Sequence, residues 1–83
     1  MEKVRIYTTQ FCTYCIRARM LLKEKGVDYQ EFRVYDDLAL RQEMQTLSGR
    51  HTVPQIWIGE QHIGGYSELS MLEAAGELDQ LLN

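Results

Sequence analysis

Apolar and polar residues follow strand-like patterns in some parts of the chain and helix-like patterns in others. Short runs with apolar residues, some of them alternating with polar ones, predict four β-strands. These lie over Val4–Tyr7, Tyr29–Val34, Gln55–Ile58 and Gln61–Ile63. Apolar residues at i, i+3 and i+4 predict three helices, over Thr13–Lys25, Leu38–Leu47 and Glu68–Ala75. A last short amphipathic turn follows, with Leu78, Leu81 and Leu82. The predicted order is therefore βαβαββα.

Residues that begin or end helices and turns support these boundaries. Asp36-Asp37 supply an N-cap and an acidic start for the second helix, and Ser67 supplies an N-cap for the third. Glycine-containing pairs and single glycines are expected to end segments, at Gly26, Ser48-Gly49, Gly59-Glu60 and Gly76. The side chains predicted to point into the core from the second and third helices are Leu40, Met44, Leu47, Leu69, Leu72 and Ala75.

A strand–helix–strand unit of this length favours a parallel pair of strands with a right-handed crossover. The first two strands are therefore predicted to pair in parallel, with the hairpin of the third and fourth strands on the other side. The fold class is α/β, with a four-stranded mixed sheet flanked by helices. At 83 residues, the chain from 1 to 83 is predicted to form a single domain with a small core.

Composition argues against several classes of function. The formal net charge of −3 and the pI near 5.3 argue against a nucleic-acid-binding protein, which would need a basic stripe. No apolar run approaches the ~18 residues of a membrane span, and residues 1–3 lead straight into a strand without a signal-peptide core. We therefore expect a cytoplasmic protein with no membrane partner. In that reducing compartment, an exposed Cys-x-x-Cys is more often catalytic than structural.

The candidate chemistry lies in Cys12-Thr13-Tyr14-Cys15, which contains the only two cysteines of the chain. The pair sits where the first strand ends and the first helix begins. Free backbone N–H groups and the positive end of the helix dipole favour an anion there, and cysteines at helix N-termini ionise more readily than free ones. We therefore predict that Cys12 is the nucleophile. Cys15, one turn inside the helix and shielded, is predicted to form a reversible disulfide with it.

Three other interpretations of the cysteine pair compete with this one. A structural disulfide closing so short a loop gains little from the unfolded state. A zinc site needs about four ligands, and His51 and His62, which are the only histidines, lack the spacing that accompanies such cysteines. Two unrelated buried thiols also remain open.

The element order, with Cys-x-x-Cys at the end of the first strand, resembles the thioredoxin fold. Three blocks of sequence are similar to those of the glutaredoxins, namely Cys12-Thr13-Tyr14-Cys15, Thr52-Val53-Pro54 and Gly64-Gly65-Tyr66-Ser67-Glu68. Thioredoxins typically carry Trp-Cys-Gly-Pro-Cys, whereas Tyr14 before the second cysteine is the glutaredoxin choice. The resemblance covers essentially the whole chain, and the three blocks together are highly specific.

The resemblance implies that these blocks bind glutathione. In the family, the bond equivalent to Val53–Pro54 is cis, and the backbone of Val53 pairs like a strand with the cysteinyl part of glutathione. The N–H groups of Ser67 and Glu68 suit the γ-glutamyl carboxylate, and the Glu68 side chain suits its ammonium group. Arg41 on the second helix offers a fork for the glycine carboxylate. The implied glutathione-binding residues are Tyr14, Arg41, Thr52, Val53, Pro54, Gly65, Tyr66, Ser67 and Glu68.

Each of these assignments has a structural alternative. Pro54 could be a trans proline that only starts the third strand, and residues 64–68 could be an ordinary turn with an N-cap. Arg41 could belong to a solvated helix face, and Tyr14 could be a solvated aromatic. Phe11, beside Cys12, either shields the thiol and contacts a partner or caps the edge of the core.

Two positions depart from the commonest glutaredoxin pattern. Thr9 stands where the family usually has a lysine that binds the glycine carboxylate, so either glutathione binding is weaker here or Arg41 compensates. Thr13 stands where the commonest motif has proline. Family members with a small residue there sometimes bind a [2Fe–2S] cluster between two subunits, each giving its first cysteine, with two glutathione molecules as the remaining ligands. Thr13 is bulkier than the Gly or Ser usual in those members, so a [2Fe–2S] cluster held here by Cys12 is an alternative cofactor and not the expected one.

The function implied by the resemblance is that of an enzyme, a glutathione-dependent thiol–disulfide oxidoreductase. It would reduce protein–glutathione mixed disulfides and protein disulfides through Cys12 and Cys15, acting as a monomer. Partners implied by the family are glutathione, glutathionylated proteins and disulfide-containing enzymes such as ribonucleotide reductase. The rival functions are a [2Fe–2S] cluster carrier or sensor and a redoxin that depends on thioredoxin reductase.

Overall fold

The computed structural model describes residues 2–83. Within this range the secondary-structure elements are β1 (Val4–Thr8), α1 (Thr13–Glu24), β2 (Tyr29–Arg33), α2 (Leu38–Ser48), β3 (Gln55–Ile58), β4 (Gln61–Gly64), α3 (Tyr66–Ala74) and α4 (Leu78–Leu82). The strands form one mixed sheet in the order β2-β1-β3-β4. Strand β1 pairs in parallel with β2, and β3 pairs antiparallel with both β1 and β4. The predicted α/β class, element order and strand pairing are confirmed.

Strand β1 is an interior strand, paired with β2 on one side and β3 on the other, and helices cover both of its faces. Val4 and Ile6 pack into a core cluster with residues of α1, α3 and α4. Tyr7, which points to the opposite face, packs with Met44 of α2 and Trp57 of β3. This alternation puts apolar side chains on both sides of one strand, so β1 is buried throughout except at Arg5. The loop that carries Cys12 therefore follows the C-terminal end of a buried interior strand.

A polar network fixes the exit from β1. The Thr8 hydroxyl donates to Glu31 Oε2 on β2 at 2.8 Å. The same carboxylate oxygen accepts from Arg19 of α1 at 2.8 Å. Thus β1, β2 and α1 are joined by one partly buried carboxylate just where the chain turns towards the cysteines.

Three predicted side-chain roles are wrong. Leu47 is 52% exposed, because the inward stripe of α2 continues from Met44 to Ser48 and leaves Leu47 on its flank. Ala75 is exposed because α3 ends at Ala74 and Ala75 only caps it. Ser67 is not an N-cap, since α3 begins at Tyr66, two residues before the predicted start at Glu68, with Gly65 as its N-cap.

Candidate active site

Cys12 occupies the N-cap position of α1 in an extended backbone conformation. Its sulfur accepts the backbone N–H of Cys15 at 3.2 Å. An N-cap side chain normally supplies an oxygen acceptor for the free N–H groups of the first turn, and here a sulfur takes that place. Because the N–H donates to the sulfur and the helix dipole is positive at this end, the geometry stabilises negative charge on Cys12.

Cys15 is fully buried at 0% exposure. Burial, followed by the hydrogen bond with Cys12, raises the pKa of its thiol to about 12, while a backbone hydrogen bond with Thr9 and the charge of Arg19 act against this. Cys15 therefore stays protonated at neutral pH and does not meet solvent. Of the two sulfurs, only the one of Cys12 is partly exposed and available to a substrate.

Alkylation tests this difference between the two thiols. Under a phosphine reductant at pH 8, we expect iodoacetamide to modify one thiol of the folded protein and both thiols after denaturation. With a pKa of about 12, only about one in ten thousand Cys15 side chains would be thiolate at that pH. The measurement is the mass of the intact protein with time. Rapid labelling of both thiols in the folded state would contradict the assignment.

The sulfur of Cys12 faces the segment that follows α2. It lies 3.9 Å from the carbonyl oxygen of Val53, which accepts the thiol hydrogen. The Val53–Pro54 bond is cis, as the resemblance implied, and Pro54 is buried. Val53 therefore forms a wall of the site directly beside the exposed sulfur.

A groove of about 330 Å³ opens on this side of Cys12. It contains eight of the nine residues predicted to bind glutathione, from all three sequence blocks, and one residue that was not predicted. The lining residues are Tyr14, Arg50, Thr52, Val53, Pro54, Gly65, Tyr66, Ser67 and Glu68. The fold thus brings together segments that are up to 54 positions apart in sequence, from Tyr14 to Glu68.

Arg41 is the predicted residue that does not line the groove. It lies in the first turns of α2, where its N–H bonds to the carbonyl of Asp37. The cation in the groove is Arg50, in the segment between α2 and β3. Its position two residues before Thr52 is the signal that could have identified it, because a long side chain so close to a predicted wall residue reaches the same space.

Glu68 and Arg50 put opposite charges in the groove. The carboxylate of Glu68 accepts the N–H of Gly65 at 2.6 Å and a guanidinium N–H of Arg50 at 3.2 Å. The Gly65 hydrogen bond and the nearby Arg50 charge lower the pKa of Glu68, although burial opposes them. Both side chains are close to half exposed, at 42% and 47%. The Glu68 carboxylate is therefore ionised at neutral pH, and both side chains are open to a ligand.

Aromatic rings form the rim of the groove towards α1. Tyr14 and Tyr66 lie with ring centroids 6.3 Å apart. The guanidinium of Arg17 lies over the Tyr14 ring, 5.7 Å from its centroid. Tyr14 is 56% exposed. The rim therefore offers apolar surface beside the charged groups of Arg50 and Glu68.

Phe11 precedes Cys12 with a positive φ of 58°, a conformation that few residues other than glycine adopt. Its side chain is 94% exposed. It therefore does not cap the edge of the core, which was one of the two interpretations. The remaining one, that Phe11 offers contact surface beside the thiol, stays a prediction.

The zinc interpretation finds no ligand set. Among residues 2–83, no group of three or more histidine, cysteine, aspartate or glutamate side chains is placed to hold a metal ion. A cluster shared between two subunits would take a single cysteine from each chain, so this observation does not bear on it. None of the helices in the described range is both long and apolar enough to span a membrane.

Comparison with known proteins gives one consistent family. A model of the glutaredoxin family matches residues 4–63. A glutaredoxin of Pseudomonas aeruginosa is 54% identical over 83 residues, which is 100% of this chain and 99% of that protein. Glutaredoxin 3 of Escherichia coli K12 is 52% identical over 82 residues, covering 99% of each. A crystal structure of a buckwheat glutaredoxin–glutathione complex has a TM-score of 0.87 at 27% identity, and the match covers 98% of this chain and 76% of that one.

Proposed function

The chain belongs to the glutaredoxin family of thiol–disulfide oxidoreductases, and on that premise we propose that glutathione is its reductant and that protein–glutathione mixed disulfides are its main substrates. The observation that carries the proposal is a preformed groove with one cation and one anion, Arg50 and Glu68, whose wall residue Val53 lies 3.9 Å from the Cys12 sulfur. The crystal structure of the buckwheat relative in complex with glutathione supports the same ligand class.

The groove suits glutathione in size and charge. Its volume of about 330 Å³ lies within the range of small-molecule sites, about 300–1,000 Å³. Glutathione carries an ammonium group and two carboxylates, joined by peptide groups around a central thiol. Glu68 pairs with the ammonium, and Arg50 and the N–H of Ser67 in the first turn of α3 donate to a carboxylate. The peptide groups pair with the backbone of Val53, which brings the ligand sulfur to Cys12.

In the main reaction, the thiolate of Cys12 attacks the glutathione sulfur of a mixed disulfide. A bond forms between Cys12 and glutathione, the old disulfide bond breaks, and the substrate thiolate leaves and takes up a proton. A second glutathione thiolate then attacks the glutathione sulfur on Cys12. This releases oxidised glutathione and regenerates the Cys12 thiolate, which the Cys15 N–H stabilises.

For a protein disulfide, Cys12 first forms a mixed disulfide with the substrate. Cys15 then gives up its proton and attacks the Cys12 sulfur, so the second substrate thiol leaves and a Cys12–Cys15 disulfide remains for two glutathione molecules to reduce. Burial is the largest cause of the raised pKa of Cys15, and the negative charge of Cys12 is a smaller one. That cause disappears once Cys12 is bonded to substrate, so Cys15 ionises more easily at the step that needs it.

The experiment that tests the proposal compares two electron donors. We expect the reduced protein to turn over the mixed disulfide of glutathione and 2-mercaptoethanol when NADPH, glutathione reductase and glutathione are supplied. We expect little turnover when thioredoxin reductase and NADPH replace them. The measurement is NADPH oxidation, with the protein omitted as control. Equal or faster turnover with thioredoxin reductase would overturn the proposal in favour of the rival redoxin.

Arg50 and Arg41 form a matched pair for testing the groove. Replacing Arg50 with glutamine is expected to raise KM for the glutathione mixed disulfide by about tenfold. This corresponds to ~1.5 kcal/mol, the lower end for a hydrogen bond to a charged group, because the Arg50 side chain is close to half exposed. Arg41→Gln removes the same charge outside the groove and is expected to leave KM unchanged. Steady-state kinetics at fixed ionic strength provide the measurement. The reverse pattern would restore the interpretation based on Arg41.

Some expectations go with this proposal and stay predictions. They are a cytoplasmic location, a monomeric state and ribonucleotide reductase as one protein substrate. The [2Fe–2S] alternative would use Cys12 and bound glutathione, which are the same groups as in the proposed reaction. No contact in residues 2–83 favours the cluster over the reductase function.

A further inference from the structure

Polar side chains of β3 and β4 form a hydrogen-bonded chain that ends at Thr52, a residue of the groove. Gln55, the first residue of β3, is fully buried at 0% exposure. Its amide nitrogen donates to the Thr52 carbonyl at 3.0 Å and also contacts the Thr52 hydroxyl at 3.2 Å. Its amide oxygen lies 2.7 Å from Nε2 of His62 on β4. The chain therefore connects β4 to the first residue of the wall segment Thr52–Pro54.

The hydrogen-bond directions along this chain follow from the partners. The Thr52 carbonyl is an acceptor only, so the nitrogen of the Gln55 amide must face Thr52 and its oxygen must face His62. Nε2 of His62 must then carry a hydrogen and donate it. Burial and the Arg50 charge lower the pKa of His62, with Glu68 acting against them. His62 is therefore a neutral ring with its hydrogen on Nε2.

The ring of His62 is held in place from the side. It packs on Trp57 with centroids 4.7 Å apart, and Trp57 is itself buried at 5% exposure. A fixed ring gives the Gln55 amide a fixed partner. Since Gln55 cannot reach solvent, losing one partner would leave a buried polar group unsatisfied, which disfavours any other arrangement of the segment.

We propose that Gln55 and His62 are positioning residues that hold the Thr52–Pro54 wall in the conformation that receives the peptide backbone of glutathione. The inference rests on the proposed function. Neither side chain lines the groove, so both act through Thr52 and its neighbour Val53. If the wall segment already has its bound conformation, less conformational entropy is lost when glutathione binds. The electron transfer itself takes place on Cys12, so the effect falls on KM rather than on kcat.

Two substitutions interrupt this series of hydrogen bonds and keep the approximate shape of the side chain that is replaced. His62→Phe keeps an aromatic ring against Trp57 but removes the donor to Gln55. Gln55→Glu keeps an acceptor for His62 but loses the donor to Thr52. We expect KM for the mixed disulfide of glutathione and 2-mercaptoethanol to rise about fivefold in the first and about tenfold in the second, with kcat within about twofold.

Each variant has a control in which the same substitution is made at an exposed residue. His51→Phe replaces the other histidine, and Gln61→Glu makes the same charge change at an exposed glutamine of β4. Neither is expected to change KM. A third variant, His62→Gln, returns an amide donor at a similar reach and is expected to restore KM to within about twofold of the wild type. Circular dichroism confirms folding, and if Gln55→Glu does not fold, the His62 series decides alone.

The nitrogen chemical shifts of His62 in the labelled wild-type protein give a readout that does not depend on activity. We expect the shifts of a neutral ring protonated at Nε2. A hydrogen on Nδ1, or unchanged KM in both His62→Phe and Gln55→Glu, would overturn the inference while leaving the proposed function intact. A fall in kcat without a rise in KM would also overturn it. A wild-type protein that shows no turnover with glutathione would instead overturn the proposed function. The nitrogen shifts would still show whether His62 donates from Nε2 to Gln55.

Discussion

Replacing Cys12 with serine is expected to abolish turnover of every disulfide substrate, whereas replacing Cys15 with serine should leave the reduction of glutathione mixed disulfides intact. The reason is the geometry of the pair. The Cys12 sulfur is partly exposed and accepts the backbone N–H of Cys15, a contact that does not need the Cys15 side chain and so survives in Cys15→Ser. The Cys15 sulfur is buried and protonated at neutral pH, with its pKa raised to about 12. The first sulfur can start the reaction and the second cannot.

The two variants separate the two proposed reactions. Turnover of the glutathione–2-mercaptoethanol mixed disulfide should fall to the uncatalysed rate in Cys12→Ser and stay within about threefold of the wild type in Cys15→Ser. Reduction of a protein disulfide should fall in both, because Cys15 is needed to release the substrate from Cys12. If Cys15→Ser lost both activities, or Cys12→Ser kept the first, the roles assigned to the two sulfurs would be wrong.

The second large effect is expected at Gly64, which does not line the groove. Its backbone has a φ of +116°, which L-residues with a side chain rarely adopt. A Cβ atom there would lie 2.5 Å from the Glu68 carboxylate oxygen and 3.0 Å from its Cγ and Cδ atoms. Gly64→Ala should therefore cost about 1–3 kcal/mol of stability from backbone strain. It should also push the Glu68 carboxylate away from the Gly65 N–H and out of its position in the groove.

Gly76→Ala is the matched control for this prediction. Gly76 also has a positive φ, +75°, but no atom lies within 4 Å of its added Cβ. Chemical denaturation should show loss of stability in both variants. Only Gly64→Ala should raise KM for the glutathione substrate, by about tenfold if the Glu68 contact is lost. A normal KM in folded Gly64→Ala would mean that the Glu68 carboxylate is not a ligand group.

Most of the fold could be predicted from local patterns. Alternation and helical spacing identified the elements, and the short strand–helix–strand unit implied the parallel pairing of β1 with β2. The errors occurred where a local pattern allowed two answers. Leu47 fits the spacing of a core face as well as Ser48 does, and only the packing of α2 in the folded protein shows that Ser48 is the more buried of the two.

The start of α3 shows the same limit in another form. Ser67 is a good N-cap by residue type, but the helix begins before it. The Glu68 carboxylate instead accepts the Gly65 N–H at 2.6 Å, so the first turn is held from the third helical position. A cap of this kind depends on which side chain reaches back, which composition alone does not reveal.

The residues of the candidate site could be predicted where a short sequence motif, or a position beside a predicted helix, identifies them. The position of Cys12 before a helix predicted that its sulfur would meet the free N–H groups of the first turn, and the motif blocks identified eight of the lining residues of the groove. Arg50 was not predicted because Arg41 and Arg50 look alike in sequence, and only the path of the segment between α2 and β3 places Arg50 along the groove. The chain through Gln55 and His62 was missed because it depends on contacts between β3 and β4.

The central claim is that Cys12 attacks the glutathione sulfur of a substrate seated in the groove. Reacting Cys15→Ser with one equivalent of a glutathionylated peptide and measuring the intact mass, followed by peptide mapping, tests it most directly. The account predicts that Cys12 carries glutathione and that the peptide is released as a free thiol. Cys12 bonded to the peptide, with glutathione released, would contradict the account.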